Sequence, residues 1–309
     1  MSDGPDGLEP GTLPPVSDVR QGARDRAREL REQHRKQDRR RRLIVTGSVV
    51  LGTLLILAVV VSVLISVSRP TARGPLNMIS DGIKIGAGLK AEPTVALLPG
   101  EKPVAAKKNP ASVLDIKLYV DYLCQECGTF QKKNGAQLQA WVKSGAATVE
   151  IHPIAVLTTK SVSSQYSLRA ANAAACVAEF APDQFFAFNA AMFTRQPKEG
   201  SPGLSDAQIV ARAAGAKAVH LADIRRCVDD QRFKAWVQSA TTRALSGPLP
   251  GADIPAVAVT PTILVDGAQY KYTPSFDPDE FAQFVVQVAG DRFTENPTPT
   301  PTPTPVPAS

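Results

Sequence analysis

The sequence predicts an α/β fold interrupted by an all-helical block and preceded by a single transmembrane helix. Three observations carry this: a strand, helix, strand succession from Ile116 to Val156; a strand, turn, strand, helix succession from Thr262 onward; and an unbroken apolar run from Leu43 to Val67. The expected organisation is a basic cytoplasmic tail (1–42), a membrane span (43–67) and an exit segment with an edge strand and linker (68–112). The first part of the α/β domain (113–162), a helical insertion (163–245), the second part of the α/β domain (246–293) and a Pro/Thr-rich tail (294–309) follow.

Met1 to Val19 is rich in Gly, Pro and Asp, a composition that cannot bury enough apolar surface to fold. Arg39, Arg40, Arg41 and Arg42 stand directly before Leu43, and Leu43 to Val67 carries no charge. At ~1.5 Å rise per residue this run makes a helix of ~37 Å, enough to cross a ~30 Å hydrocarbon core with some tilt. The positive-inside rule then keeps the N-terminus cytoplasmic and exports everything after Val67. A cleaved signal peptide is the rival reading, because Ser66-Val-Ser68 is a small-x-small triplet, but its apolar stretch is usually only about 7 to 15 residues. The net charge of +6 invites a nucleic-acid reading. Position argues otherwise: the arginines abut the span and are interspersed with Asp25, Glu29, Glu32 and Asp38, so the expected partner is the membrane and its anionic head groups, with no nucleic acid.

Beyond the span, Asn77 to Gly86 alternates as an edge strand does, and Glu92 to Ser112, with Pro93, Pro99, Pro103 and Pro110, is expected to be a loop. Ile116 to Val120 is a strand, Cys124 to Val142 a helix and Ala147 to Val156 a second strand, which together make a β-α-β crossover and begin a parallel sheet. Within the helical block, Leu168 to Phe180 is alanine-rich and Ser205 with Gln208 has the form of a capping box. Phe185, Phe188 and Met192 fall on one helical face, which points to core; exposed apolar surface for unfolded substrates is the lesser reading. Asp266-Gly267 between Thr262–Val265 and Ala268–Tyr272 is a hairpin signal. The last helix has Asp277 as N-cap, Pro278 at its first position and Phe281, Phe284, Val285 and Val288 on one face. Pro-Thr repeats from Asn296 make an extended, unpacked tail.

Chemistry concentrates in Cys124 and Cys127. The strand delivers this dithiol to the first turn of a helix, where unpaired backbone N–H groups and the positive helix end stabilise a Cys124 thiolate. Cys127, one turn on, can close a bond onto it, which makes the pair a dithiol-disulfide redox centre. Half of a structural zinc site would need two further ligands, and the three histidines are dispersed. A merely structural disulfide would not require the strand-then-helix placement. The other cysteines, Cys176 and Cys227, lie in helical patterns. In an oxidising compartment they staple two helices across a loop of about 50 residues, a constraint of ~4 kcal/mol in the loop-entropy account; two buried unpaired thiols are the alternative.

With these residues in view, the stretch from Asn77 to Asp291 resembles the thioredoxin superfamily, specifically membrane-anchored actinobacterial DsbA-like proteins. The resemblance rests on Asp121-Tyr-Leu-Cys-Gln-Glu-Cys-Gly-Thr-Phe130, on the helical insertion, and on Thr260-Pro-Thr262 before a strand that ends at Asp266-Gly267. It implies a cis Pro261 beside the cysteine pair, with Thr260 positioned to pair with an extended peptide, and a structural disulfide between Cys176 and Cys227. Gln125-Glu126 departs from the Pro-His and Pro-aromatic pairs of strongly oxidising relatives. Glu126 suits the helix dipole but disfavours the Cys124 thiolate, which implies a weaker oxidant.

The expected function is an exported, membrane-tethered thiol-disulfide oxidoreductase that oxidises cysteine pairs in newly exported proteins and needs no cofactor. The resemblance implies reoxidation by a membrane DsbB-like or vitamin K epoxide reductase-like oxidase. A reductase or isomerase on the same scaffold, and a noncatalytic thioredoxin-like binding or folding-support protein, are the competing readings.

Overall fold

The computed structural model describes residues 73–295, with side chains to Asp291. The apolar run 43–67, the basic tail and the Pro-Thr repeats lie outside these residues. Among the described residues no helix is long and apolar enough to cross a membrane.

The elements are β1 (Ile83–Gly86), β2 (Lys90–Ala91), β3 (Leu114–Val120), α1 (Gln125–Ser144), β4 (Ala147–Pro153), α2 (Tyr166–Phe180), α3 (Phe185–Phe193), α4 (Asp206–Gly215), α5 (Leu221–Asp229), α6 (Lys234–Ser246), β5 (Thr262–Val265), β6 (Ala268–Gln269) and α7 (Pro278–Glu295). The strands form one mixed sheet in the order β2-β1-β4-β3-β5-β6. β3 and β4 are parallel, as a crossover through α1 requires, and β5 runs antiparallel to β3.

Period-two alternation assigns each strand residue to a face. Ile116, Leu118 and Val120 join Val149, Ile151, Ile263 and Val265 in a core completed by Phe130, Leu138 and Val142 of α1. Tyr119 and Leu264 belong to a second, smaller cluster with Ile154, Ala244, Leu249 and Val257. Helix α7 adds Phe281 and Val285 to the main core, and Phe130 meets Phe276 and Phe281 edge-on.

Three local expectations change in the fold. The strand in 77–86 is confined to Ile83–Gly86 and is internal: it pairs with β4 on one side and with the two-residue β2, which the sequence pattern did not mark, on the other. All four of its residues are buried, so its alternation reflects a covered position rather than an edge. The strand returning from the hairpin is only Ala268–Gln269, continued by one bond from Tyr270 N–H to Ile263. Its turn is as expected, with Asp266 and Gly267 at φ of 46° and 94°, the left-handed region that Gly enters freely. The block 163–245 is five separate helices. Ser205 caps α4 in a full capping box with Gln208, and Phe185, Phe188 and Met192 are buried in the core.

Candidate active site

Cys124 is the residue on which α1 begins. Its backbone is extended, so it stands as N-cap, and its Sγ accepts a hydrogen bond from the Cys127 backbone N–H at 3.2 Å. A sulfur thus takes the place a Ser or Asp oxygen holds at ordinary caps, against the donors a helix leaves unpaired. Both cysteines are free thiols and each is 1% exposed.

The two sulfurs are electrostatically unlike. The Cys127 side chain, donating toward Cys124, holds the Cys124 thiol below its ordinary value; burial opposes this, while the Thr260 side chain and the Cys127 backbone N–H reinforce it. Glu126 acts in the opposite sense, raising it, with Oε2 3.7 Å from the sulfur. Burial pushes the Cys127 thiol well up, and the hydrogen bond and charge of Cys124 add to the effect. The arrangement therefore sets the two thiols apart: it favours the thiolate at Cys124 and the protonated thiol at Cys127.

Thr260-Pro261 reaches this pair from the start of β5, distant in sequence. The Thr260–Pro261 bond is cis, and the Thr260 carbonyl oxygen is 3.2 Å from Cys124 Sγ. Pro261 precedes the first ladder residue, where the missing N–H costs no sheet bond. Tyr272 anchors the junction by donating its hydroxyl to the Pro261 carbonyl at 3.0 Å, and burial, followed by the neighbouring cysteines, lifts its phenol to about 12.

Asp121, wholly buried, organises the loop ahead of the dithiol. Its carboxylate accepts from the backbone N–H groups of Leu123 at 2.8 Å and Leu157 at 2.9 Å, and burial, although opposed by these bonds, raises its pKa.

A further set of contacts comes from the helical insertion. Gln196 Nε2 donates to the carbonyls of Tyr122 at 3.0 Å and Cys124 at 2.8 Å. In return Gln125 Nε2 donates to Leu123 at 3.0 Å and across to the Pro197 carbonyl at 2.9 Å. Gly128 makes the approach possible, because a Cβ there would overlap Gln196 Oε1. Gln125, expected only to tune the site through its identity, thus also ties the CxxC turn to the insertion. Gln196 escaped the sequence reading altogether: a lone glutamine in a loop 72 residues from Cys124 has no local signal.

A thioredoxin family model matches residues 108–285, more than half of the chain. The chain belongs to the thioredoxin family. Among solved structures, this thioredoxin-family protein is similar to the reduced disulfide bond oxidoreductase DsbG of Mycobacterium tuberculosis, with 25% identity, a TM-score of 0.50, and coverage of 68% of this chain and 88% of that one. It is likewise similar to reduced DsbA of Mycobacterium tuberculosis, with 26% identity, a TM-score of 0.50, and coverage of 68% and 93%. No curated protein matches the sequence. Together with the dithiol, these relationships make the chain a thioredoxin-fold protein thiol-disulfide oxidoreductase of the DsbA type.

Cys176 and Cys227, offered by the sequence either as a staple or as two free thiols, are bonded to each other and join α2 to α5. Among the described residues no group of three His, Cys, Asp or Glu side chains could hold a metal ion.

Proposed function

We propose that the protein is tethered to the cell membrane by residues 43–67, holds its redox domain outside the cytoplasm, and oxidises cysteine pairs of newly exported proteins. The observation that carries the direction is the lowered Cys124 thiol above a raised Cys127 thiol. A stabilised Cys124 thiolate is a good leaving group, so the Cys124–Cys127 disulfide surrenders readily to an incoming thiolate.

In that reaction a substrate thiolate attacks Cys124 Sγ, the intramolecular bond breaks, and Cys127 leaves and takes up a proton. The substrate's second thiolate then attacks the substrate sulfur bonded to Cys124, forming the substrate disulfide and releasing Cys124 as thiolate. The substrate has lost two electrons and formed a disulfide; the enzyme has become a dithiol. Thr260 and Pro261 line the approach, and an extended peptide pairs with the Thr260 backbone there. Regeneration falls to a membrane oxidase of the DsbB or vitamin K epoxide reductase kind, which accepts the two electrons. Glu126 tempers the oxidising strength.

The test has two arms. Cys127→Ala, expressed in cells, accumulates mixed disulfides with exported proteins through Cys124; absence of adducts returns the chain to a noncatalytic binding role. Protease added to intact spheroplasts removes the domain bearing Cys124; protection of that domain sinks the topology while leaving the chemistry standing.

A further inference from the structure

On the sheet face opposite α1, a cavity of about 470 Å³ lies between the ends of β3 and β4, the last turns of α6 and the loop 247–250. Pro103, Ile154, Ala240, Ala244, Pro248 and Leu249 give it a mostly apolar wall. Ser80, Asp81, Lys102, Arg243, Tyr119 and His152 interrupt that wall with polar groups. Tyr119 and His152 are 2% and 1% exposed, stack with ring centroids 4.3 Å apart, and line the same space.

Neither the Tyr119 hydroxyl nor either ring nitrogen of His152 makes a hydrogen bond within the protein. Buried polar atoms are nearly always paired, because an unpaired one forfeits its hydration with no return. The His152 nitrogens face Gly82 and the Glu150 carboxylate, which leaves the Tyr119 hydroxyl as the group on the cavity wall that can meet a polar group from outside the chain.

The surrounding charges decide what kind. Arg243 holds Asp81 through two hydrogen bonds of 2.6 Å. Glu150 is engaged by Lys117 and by the Ser80 hydroxyl, with His152 Nε2 3.7 Å from its Oε1. Each buried charge already has its counter-charge, and Lys102, the remaining charged residue of the lining, is exposed, so an ionic ligand would find no unpaired charge in the buried part of the cavity. Burial, then the carboxylates of Glu150 and Asp81, raise the Tyr119 phenol far above its ordinary value and keep it a neutral donor.

We propose that this cavity binds a small uncharged molecule with an apolar body and a carbonyl or hydroxyl oxygen, which the Tyr119 hydroxyl takes as its hydrogen-bond partner. Its volume falls within the ~300–1,000 Å³ usual for small-molecule sites. The site is distinct from the dithiol, which lies past the end of β3. Tyr119 is nevertheless the ladder partner of Thr262, the residue after Pro261.

The experiment titrates full-length protein with acetophenone as the probe and follows the His152 ring proton by NMR, the chain having only three histidines. A saturable shift is expected. Tyr119→Phe, which keeps the ring and removes the donor, should weaken the affinity about fivefold. Benzoate, of similar size but charged, should bind at least about tenfold more weakly. Ala244→Leu, which fills the space, should abolish the shift. A shift that never saturates, or equal affinity in the parent and Tyr119→Phe, overturns the proposal. Retention of the Cys124 titration shows that each variant is folded; should Ala244→Leu fail that check, Tyr119→Phe decides.

Discussion

The side-chain amide of Gln196 donates to the carbonyl oxygen of Cys124 at 2.8 Å, so a loop of the helical insertion holds the residue that starts the dithiol helix. The same amide nitrogen reaches Tyr122, and Gly128 leaves room for it. Helical insertion and redox centre are therefore mechanically one unit.

Gln196→Ala should cost about 1–2 kcal/mol in urea unfolding, because two carbonyls lose their donor. Gly128→Ala should also destabilise, through collision with Gln196, even though Ala is intrinsically the better helix former by about 1 kcal/mol. The double variant should be more stable than the sum of the two losses predicts by at least about 1 kcal/mol. Strict additivity would show that the two residues do not meet. Gln196→Ala should also raise the apparent pKa of Cys124, read from thiolate absorbance, because a looser cap aims the Cys127 N–H less well.

The lowered Cys124 pKa makes the stability of the reduced form depend on pH. Its folded value lies below that of the unfolded chain, so the thiolate stabilises the fold fully only above the unfolded value of about 8.5. That contribution is lost as pH falls through the folded pKa. Cys127, raised by burial, opposes it at higher pH, where the unfolded chain ionises first. Between the depressed Cys124 value and about 8.5, stability of the dithiol form relative to the disulfide form should rise with pH. Denaturant titrations of both forms across that window check the slope; a flat difference excludes a stabilised thiolate.

Glu126 opposes the Cys124 thiolate from within the same helical turn. Glu126→His should stabilise the dithiol and make the disulfide more oxidising, with a tenfold shift in the glutathione exchange constant corresponding to about 30 mV. Equilibration of parent and variant at equal pH and salt gives the answer. An unchanged or more reducing couple removes Glu126 from the tuning of the site.

Loss of the α2–α5 bridge should separate stability from chemistry. Cys176→Ala with Cys227→Ala should lower stability by about 2–4 kcal/mol, since the bond closes a long loop with a sequence separation of 51. The Cys124 titration should remain at the parent position. A matching shift in Cys124 would mean that the bridge reaches the redox site.

What was legible in the sequence was what neighbours in the chain decide. Residues three apart on a helix share a face, so Cys124 and Cys127 could be read as a pair at a helix start without any knowledge of the fold. Capping at Ser205 and Asp277 and the turn at Asp266-Gly267 are likewise settled within four residues, and the structure contains each of them. Tertiary packing decided the rest. Ile83–Gly86 alternates like an edge strand, yet β2 covers its outer side, because alternation records burial and says nothing of which strand pairs next. The Gln196 clamp, the buried Asp121 and the stacking of Tyr119 on His152 all depend on groups dozens of residues apart being brought within a few ångströms. Polar side chains carry no periodic signal, and only the folded chain determines which of them meet.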